Sequence, residues 1–196
     1  MLDDEQSLFN LSDPRVLFQV AFNCIMKRSG IISDELLIRR HNYRRTAEMN
    51  WHELKEESDI KDLLERFGYF HDGCLREMHM WTETYVDEDL SMSVPGKLDT
   101  NVKMLFQRQY SNPSAIELLF ESVTGIHIIP TPENYDSIIR DATILKCNHN
   151  FYWADDSNFH PAKGMENSVS WIAAKKLKWR EANDWMGKQN RYGDNE

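Results

Sequence analysis

The chain has 196 residues, enough for one ordinary domain with a respectable core, or for a domain plus a small helical appendage. Apolar residues make up 41% and aromatics 11%, against 8 Gly and 6 Pro, which excludes collagen-like, coiled-coil and disordered chains. Lys and Arg number 23 against 32 Asp and Glu, and the resulting charge of −9 disfavours nucleic acid and anionic lipid as partners while suiting a basic protein.

The start, Met1-Leu2-Asp3-Asp4-Glu5, lacks the basic and then apolar run of a secretory signal. The longest greasy stretch, Val16 to Met26, is interrupted by Gln19 and Asn23 and falls short of the roughly 20 residues that cross a bilayer. A cytoplasmic chain without a membrane span is therefore expected. Cys24, Cys74 and Cys147 are odd in number and form no CxxC, so they read as small buried apolar residues. Asp13 as cap, Pro14 at the first helical position and Gly30 as stop predict a helix whose face is Leu17, Val20, Ala21, Cys24 and Ile25. A second helix is predicted after Ser33, through Leu36, Leu37 and Arg40 towards Ala47. A third lies between Ser58 and Gly68, with Ile60, Leu63, Leu64 and Phe67 on one stripe.

After Phe70 the period changes to two. Leu75, Glu77, His79 and Trp81 alternate with Arg76, Met78 and Met80, which predicts a strand. Further strands are predicted over Val102 to Gln109, Ala115 to Glu121, Val123 to Ile129, Ala142 to Cys147 and Phe151 to Ala154, separated by turns such as Ser111-Asn112-Pro113 and Asn148-His149-Asn150. Ser168 to Glu181 fits both a helix and a strand, and is assigned as a strand with Trp171, Ala173, Leu177 and Trp179 on one side. Asn183 to Glu196 reads as a frayed tail. The expected organisation is a helical segment over 1–48, a helix plus antiparallel β domain over 49–182, and a flexible tail over 183–196. The fold class is α+β, an antiparallel β-sheet meander of about six or seven strands covered by N-terminal helices.

Chemistry has few anchors. His71 and Asp72, with His79 downstream, are the residue types of a metal site or an acid–base pair. The eight-residue spacing of the histidines does not place two ligands on one helical turn, and no HExxH occurs, so a turn into the strand with Phe70 packed inward is the simpler reading. Asp155, Asp156, Asn158 and His160 lack the closure of a calcium loop and read as an acidic turn. The basic run Arg39 to Arg45 mimics a recognition helix, and Lys175, Lys176, Lys178 and Arg180 between Trp171 and Trp179 mimic a stacking platform for single strands. A solvated helix face and a lysine-guarded strand explain the same letters. GxSxG, GxxxxGK[ST] and GxGxxG are absent, and carboxylate pairs such as Glu77 with Glu117 cannot be placed across a cleft from sequence. No cofactor or metal is expected. Aromatic–acidic clustering in turn-rich segments instead nominates Trp81, Tyr85, Asp87, Glu88, Asp89, Trp153 and Asp155 as a partner-binding surface.

The stretch Phe67-Gly68-Tyr69-Phe70-His71-Asp72-Gly73-Cys74-Leu75-Arg76-Glu77 opens the strand array. It is followed by Phe106-Gln107, Ile116-Glu117-Leu118, Phe151-Tyr152-Trp153-Ala154-Asp155 and Lys175-Lys176-Leu177-Lys178-Trp179-Arg180. Over Trp51 to Arg180 this resembles a family of uncharacterised small bacterial proteins. It is also similar to immunity proteins of polymorphic toxin systems, in which a Phe-His-Asp triplet precedes a β-meander. The resemblance implies a cytosolic, non-enzymatic binder that neutralises a toxin domain, with the triplet as scaffold. The alternatives are a metal-dependent or acid–base enzyme centred on His71 and Asp72, assisted by His79 or Asp155, and a DNA-associated regulator using Arg39 to Arg45.

Overall fold

The computed structural model describes residues 51–163 and 168–193. The helices expected within 1–48, their covering of the sheet, and the basic run Arg39 to Arg45 lie outside the described residues. Trp51–Glu196 forms one compact unit. In chain order it contains β1 (His52–Glu53), α1 (Glu57–Arg66), β2 (Gly73–Thr82), β3 (Tyr85–Val86), β4 (Met92–Ser93), β5 (Thr100–Arg108), β6 (Ala115–His127), β7 (Thr143–Cys147), β8 (Asn150–Ala154) and β9 (Trp171–Glu181). The described part is thus mostly antiparallel sheet with a single helix. No helix among the described residues is long and apolar enough to cross a membrane.

Helix α1 is the third helix of the sequence reading, and its start is fixed by a carboxylate. Asp59 accepts the backbone N–H groups of Lys55 and Glu56 at 2.8 and 3.0 Å, which satisfies donors that a helix start leaves open. These bonds, Glu56 first, hold the Asp59 carboxyl below the usual carboxylate range. Ile60, Leu63 and Leu64 turn inward onto the sheet, and Gly68, at φ 55°, ends the run.

The strand order is β2-β5-β6-β9-β8-β7, with β1 beside the C-terminal half of β9. This corrects the expectation of a plain meander. Two three-stranded meanders, β2-β5-β6 and β7-β8-β9, meet through antiparallel pairing of β6 with β9, so the connection after β6 passes over two strands to reach the far edge. The reason is length: β6 and β9, at 13 and 11 residues, are the longest strands, and pairing them satisfies the most backbone groups in the middle of the sheet. The expected break between Ala115 to Glu121 and Val123 to Ile129 is a slip inside one strand. At Ser122, φ 56°, the alternation moves by one residue, and Ile116, Leu118 and Phe120 are followed on the same face by Val123. The partner strand slips opposite, so Ile172 and Ala174 share a face with Leu177 and Trp179, whereas Trp171 and Ala173 join a different cluster. Beside the slip, a Cβ on Gly125 would lie 2.9 Å from the Trp171 ring, so only glycine lets that indole lie flat on the strand.

The core under α1 is aromatic at its centre. Phe70, Phe106 and Trp153 meet with ring centroids 4.9, 5.1 and 6.2 Å apart, and Phe67 stands edge-on to Phe70 at 5.0 Å. Trp153, expected on an exposed patch, is 1% exposed and belongs to this core, because its strand position faces α1 rather than solvent. Replacement Trp153→Ala should therefore lower stability by about 3–5 kcal/mol in urea denaturation, as for an emptied core site. A shift within about 0.5 kcal/mol, the size seen at surface positions, would contradict this placement.

Candidate functional site

Beyond Thr82 and before Thr100 the chain leaves the sheet as a two-stranded ribbon. Its root is tied by Glu83 N–H to Asp99 O at 3.1 Å, and by Thr84, whose amide and hydroxyl both reach the Asp99 carboxylate, at 3.2 and 2.6 Å. Tyr85 pairs with Ser93 and Val86 with Met92. The tip, Asp87 to Ser91, closes through Asp87 N–H to Ser91 O at 2.8 Å and Leu90 N–H to Asp87 O at 2.9 Å, with Leu90 in the left-handed region. Asp89 accepts the Ser91 amide at 3.0 Å, and the hydrogen bonds from Ser91 hold its carboxyl below the usual range. An isolated ribbon this short has little to stabilise it in water. Yet Tyr85, Val86, Leu90, Met92, Val94 and Leu98 stand between 48% and 84% exposed, spread over both of its faces. Asp87, Glu88 and Asp89 are exposed between them.

Trp81, Tyr85, Asp87, Glu88 and Asp89 are thus brought to one end of the sheet. Trp81 is half-buried near the end of β2, stacked on His79 at 5.4 Å and capped by the Lys103 ammonium at 5.7 Å from its centroid. The structure does not bring Asp155 to them: it follows β8, four strands from β2 in the sheet order, which is about 19 Å. There Asp155 exchanges bonds with Ser170, accepting its amide at 2.8 Å and donating its own amide to the Ser170 carbonyl at 3.1 Å, which prolongs the β8–β9 ladder. Desolvation beside the Tyr152, Ala154 and Phe159 cluster raises its carboxyl above the usual range, against the pull of Ser170.

His71 and Asp72 sit at the opposite end of β2. Their side chains meet at 3.1 Å between Nδ1 and Oδ2, with the imidazole 62% exposed. The turn is tight, since Tyr69, Phe70 and Asp72 all have φ between 54 and 65°, and it aims Phe70 into the core. Arg108 braces it from below. Its guanidinium donates to Pro113 O at 2.8 Å and Arg66 O at 3.1 Å and lies over the Phe67 ring. His79 is not part of this corner: it lies six strand steps from Gly73, about 20 Å. Its ring packs against Trp81 and Tyr192 instead. Among the described residues no group of three or more His, Cys, Asp or Glu is placed to hold a metal ion.

The face of the sheet opposite α1 holds what sequence reasoning missed. Glu117, wholly buried, meets Arg180 across the β6–β9 ladder at 2.5 Å, and the Arg180 guanidinium lies between the Trp51 and Trp185 rings. The Tyr192 hydroxyl donates to the other Glu117 oxygen at 2.7 Å, while Glu77 accepts the amides of Arg191 and Tyr192 at 2.9 and 3.1 Å. Gln107 donates to Trp185 O and Gly187 O, and Arg76 to Lys188 O and Asn190 Oδ1. Of the stretch expected as a frayed tail, Asn183 to Tyr192 therefore lies across the sheet as a strap. The available signal was Glu117, a lone carboxylate inside the apolar run Ala115 to Phe120. A groove of about 690 Å³ between β1 and α1 includes Trp51, His52, Asp59, Asp62, Arg66 and Trp179. Asp59 there caps α1, and Arg66 is drawn to Glu181 and Trp179.

No family model, no curated protein and no solved structure matches the chain.

Burial, and then the Glu117 charge, raises the Tyr192 phenol well above its ordinary value. A group whose folded pKa is raised lends stability that is complete below its unfolded pKa, about 10 for Tyr, and is lost as pH climbs past it. Urea midpoints should accordingly fall more steeply above pH about 10 in the native chain than in Tyr192→Phe. At neutral pH that variant should be less stable by about 1–3 kcal/mol, because Glu117 loses one of its donors. Parallel alkaline limbs would disprove the buried phenol–carboxylate bond.

Proposed function

We propose that the protein is a non-enzymatic protein-binding module of the cytoplasm, and that the ribbon at residues 83–99 is the part that docks. The observation that carries this reading is the ribbon itself: six large apolar side chains left open to water on an arm too small to hold them for its own sake. The three carboxylates at its tip select a basic rim on the partner, and the overall charge of −9 steers such a partner inward. An immunity-like role, in which the partner is a basic toxin domain, is the most specific form of the proposal. It draws on the resemblance of Trp51 to Arg180 to immunity proteins and on the same acidic arm. Trp81 and Lys103 continue the surface onto the sheet, whereas Trp153 and Asp155 take no part. His71 and Asp72 act as scaffold that starts β2.

Growth protection gives the test. Cells producing a panel of basic nuclease toxin domains should be rescued by the native chain against at least one member. Binding to that domain, measured by interferometry, should weaken at least about tenfold on Leu90→Asp or Tyr85→Ala, the loss typical of a central anchor. Neutralising Asp87, Glu88 and Asp89 together should mainly slow association and flatten its salt dependence. No rescue anywhere in the panel would remove the immunity-like form. Rescue and affinity unchanged by the ribbon variants would remove the docking arm.

A further inference from the structure

The two edges of the main sheet are built differently. β7 is 5 residues long, runs beside α1 and carries Lys146, whose ammonium donates to Lys55 O at 2.7 Å. β2 is 10 residues long. The bond from Glu83 N–H to Asp99 O sets the phase of the β2–β5 ladder. In an antiparallel pair the inward residues alternate, so Glu77, His79 and Trp81 turn their amides and carbonyls to β5, while Met78, Met80 and Thr82 turn theirs outward. Further back on this edge Gly73 O accepts the Ile139 amide at 2.8 Å, and the register shift around Arg76 resets the phase in between. Among the described residues no strand pairs with the outward groups of Met78, Met80 and Thr82. The stretch also lacks the usual protection of an edge. From Met78 to Thr82 it holds no Lys, Pro or acid, and Met80 is 57% exposed on one face while His79 is open on the other.

We infer that β2 pairs antiparallel with β2 of a second copy of this chain, in the register centred on Met80. The stretch is complementary to its own image. Three outward residues spaced evenly about Met80 allow one two-fold register that uses them all, joining Met80 to Met80 and Met78 to Thr82 of the copy. His79 then faces Trp81 of the copy, which repeats across the interface the stacking these rings make within the chain. Glu77 and Glu83 of the copy come opposite one another at the next position. Their repulsion is damped, because Glu77 already accepts the Arg191 and Tyr192 amides and Glu83 is paired with Lys97 at 3.2 Å. The Ile139 bridge behind and the ribbon ahead close the edge at both ends, which blocks sliding to other registers. A strand from an unrelated protein would find the same backbone groups without the matched rings. The inference stands on this edge alone and does not depend on the docking role of the ribbon.

A contact made by one short strand segment of each copy belongs to the small, transient class of interfaces, below roughly 1,200 Å², so a weak dimer is expected. Sedimentation velocity of the full chain over a concentration series should show monomer passing to dimer. Hydrogen exchange should show the Met78, Met80 and Thr82 amides gaining protection as the dimer forms, with the His79 and Trp81 amides unchanged. Met80→Pro removes only an outward N–H, leaves the β5 ladder intact and should give a folded monomer. Met80→Lys, which sets a charge at the same edge, should do the same and serves if the proline variant fails to fold. A chain monomeric at every concentration, as expected were the edge kept for another protein's strand, would overturn the inference. So would a dimer that survives both variants, or protection gained elsewhere with none at these amides.

Discussion

The pairing of β6 with β9 is the constraint on which the rest of the described structure depends. It welds two local meanders into one sheet and gives α1 a continuous apolar floor. Within it stands Glu117 opposite Arg180, a charge pair almost wholly out of water. Removing two charges from water costs several kcal/mol, and the return depends on geometry and on every remaining lone pair being satisfied. Trp51 and Trp185 supply the flat walls, Tyr192 supplies the last donor, and so the strap is part of the sheet's energetics rather than an ornament. Taking away one partner would leave the other charge buried alone, which is worse than never having buried the pair.

Much of the strand content is legible because β2 shows a period of two and the later strands are runs bounded by turn-forming residues. β5, β7, β8 and the third helix fall where those runs and a helical stripe put them. The slip at Ser122 was read as a gap because a change of phase erases the local pattern although the ladder continues. That slip also explains why Trp171 and Trp179, four turns of alternation apart, do not share a face. The topology was not legible. Neighbouring strands pair by default, and nothing local says that β9 must pass between β6 and β8. β1, β3 and β4, with two residues each, are too short for any period to register.

The candidate surface divides along the same line. Tyr85, Asp87, Glu88 and Asp89 could be grouped from sequence because an arm carries its residues consecutively, and contiguity in the chain then equals contiguity in space. Trp153 and Asp155 could not be separated from them, since an aromatic before a pair of aspartates looks alike whether its strand faces a core or water. His71 and His79 show the converse: close enough in number to suggest a pair, they are held at opposite ends of a rigid strand. The strap was hidden for a further reason, since Trp185 and Tyr192 lie among polar letters whose partners are scattered over four strands.

Once these pieces are placed, few surfaces among the described residues are left with anything unsatisfied. One face of the sheet is closed by α1 and the aromatic core, and the other is in large part crossed by the strap, whose backbone is tied to Arg76, Glu77 and Gln107. The β7 edge is guarded by a lysine already committed to Lys55. Among the described residues, β2 and its continuation carry outward amides and carbonyls, then a ribbon of exposed apolar side chains with an acidic tip. The two differ in chemistry. Backbone groups on an edge recognise another strand, whereas side chains on a free arm recognise a shaped and charged surface. Because the strand runs into the arm at Thr82, with Glu83 and Thr84 clamped on Asp99, whatever engages the edge also steadies the root of the arm, and assembly and docking would share one stretch of backbone.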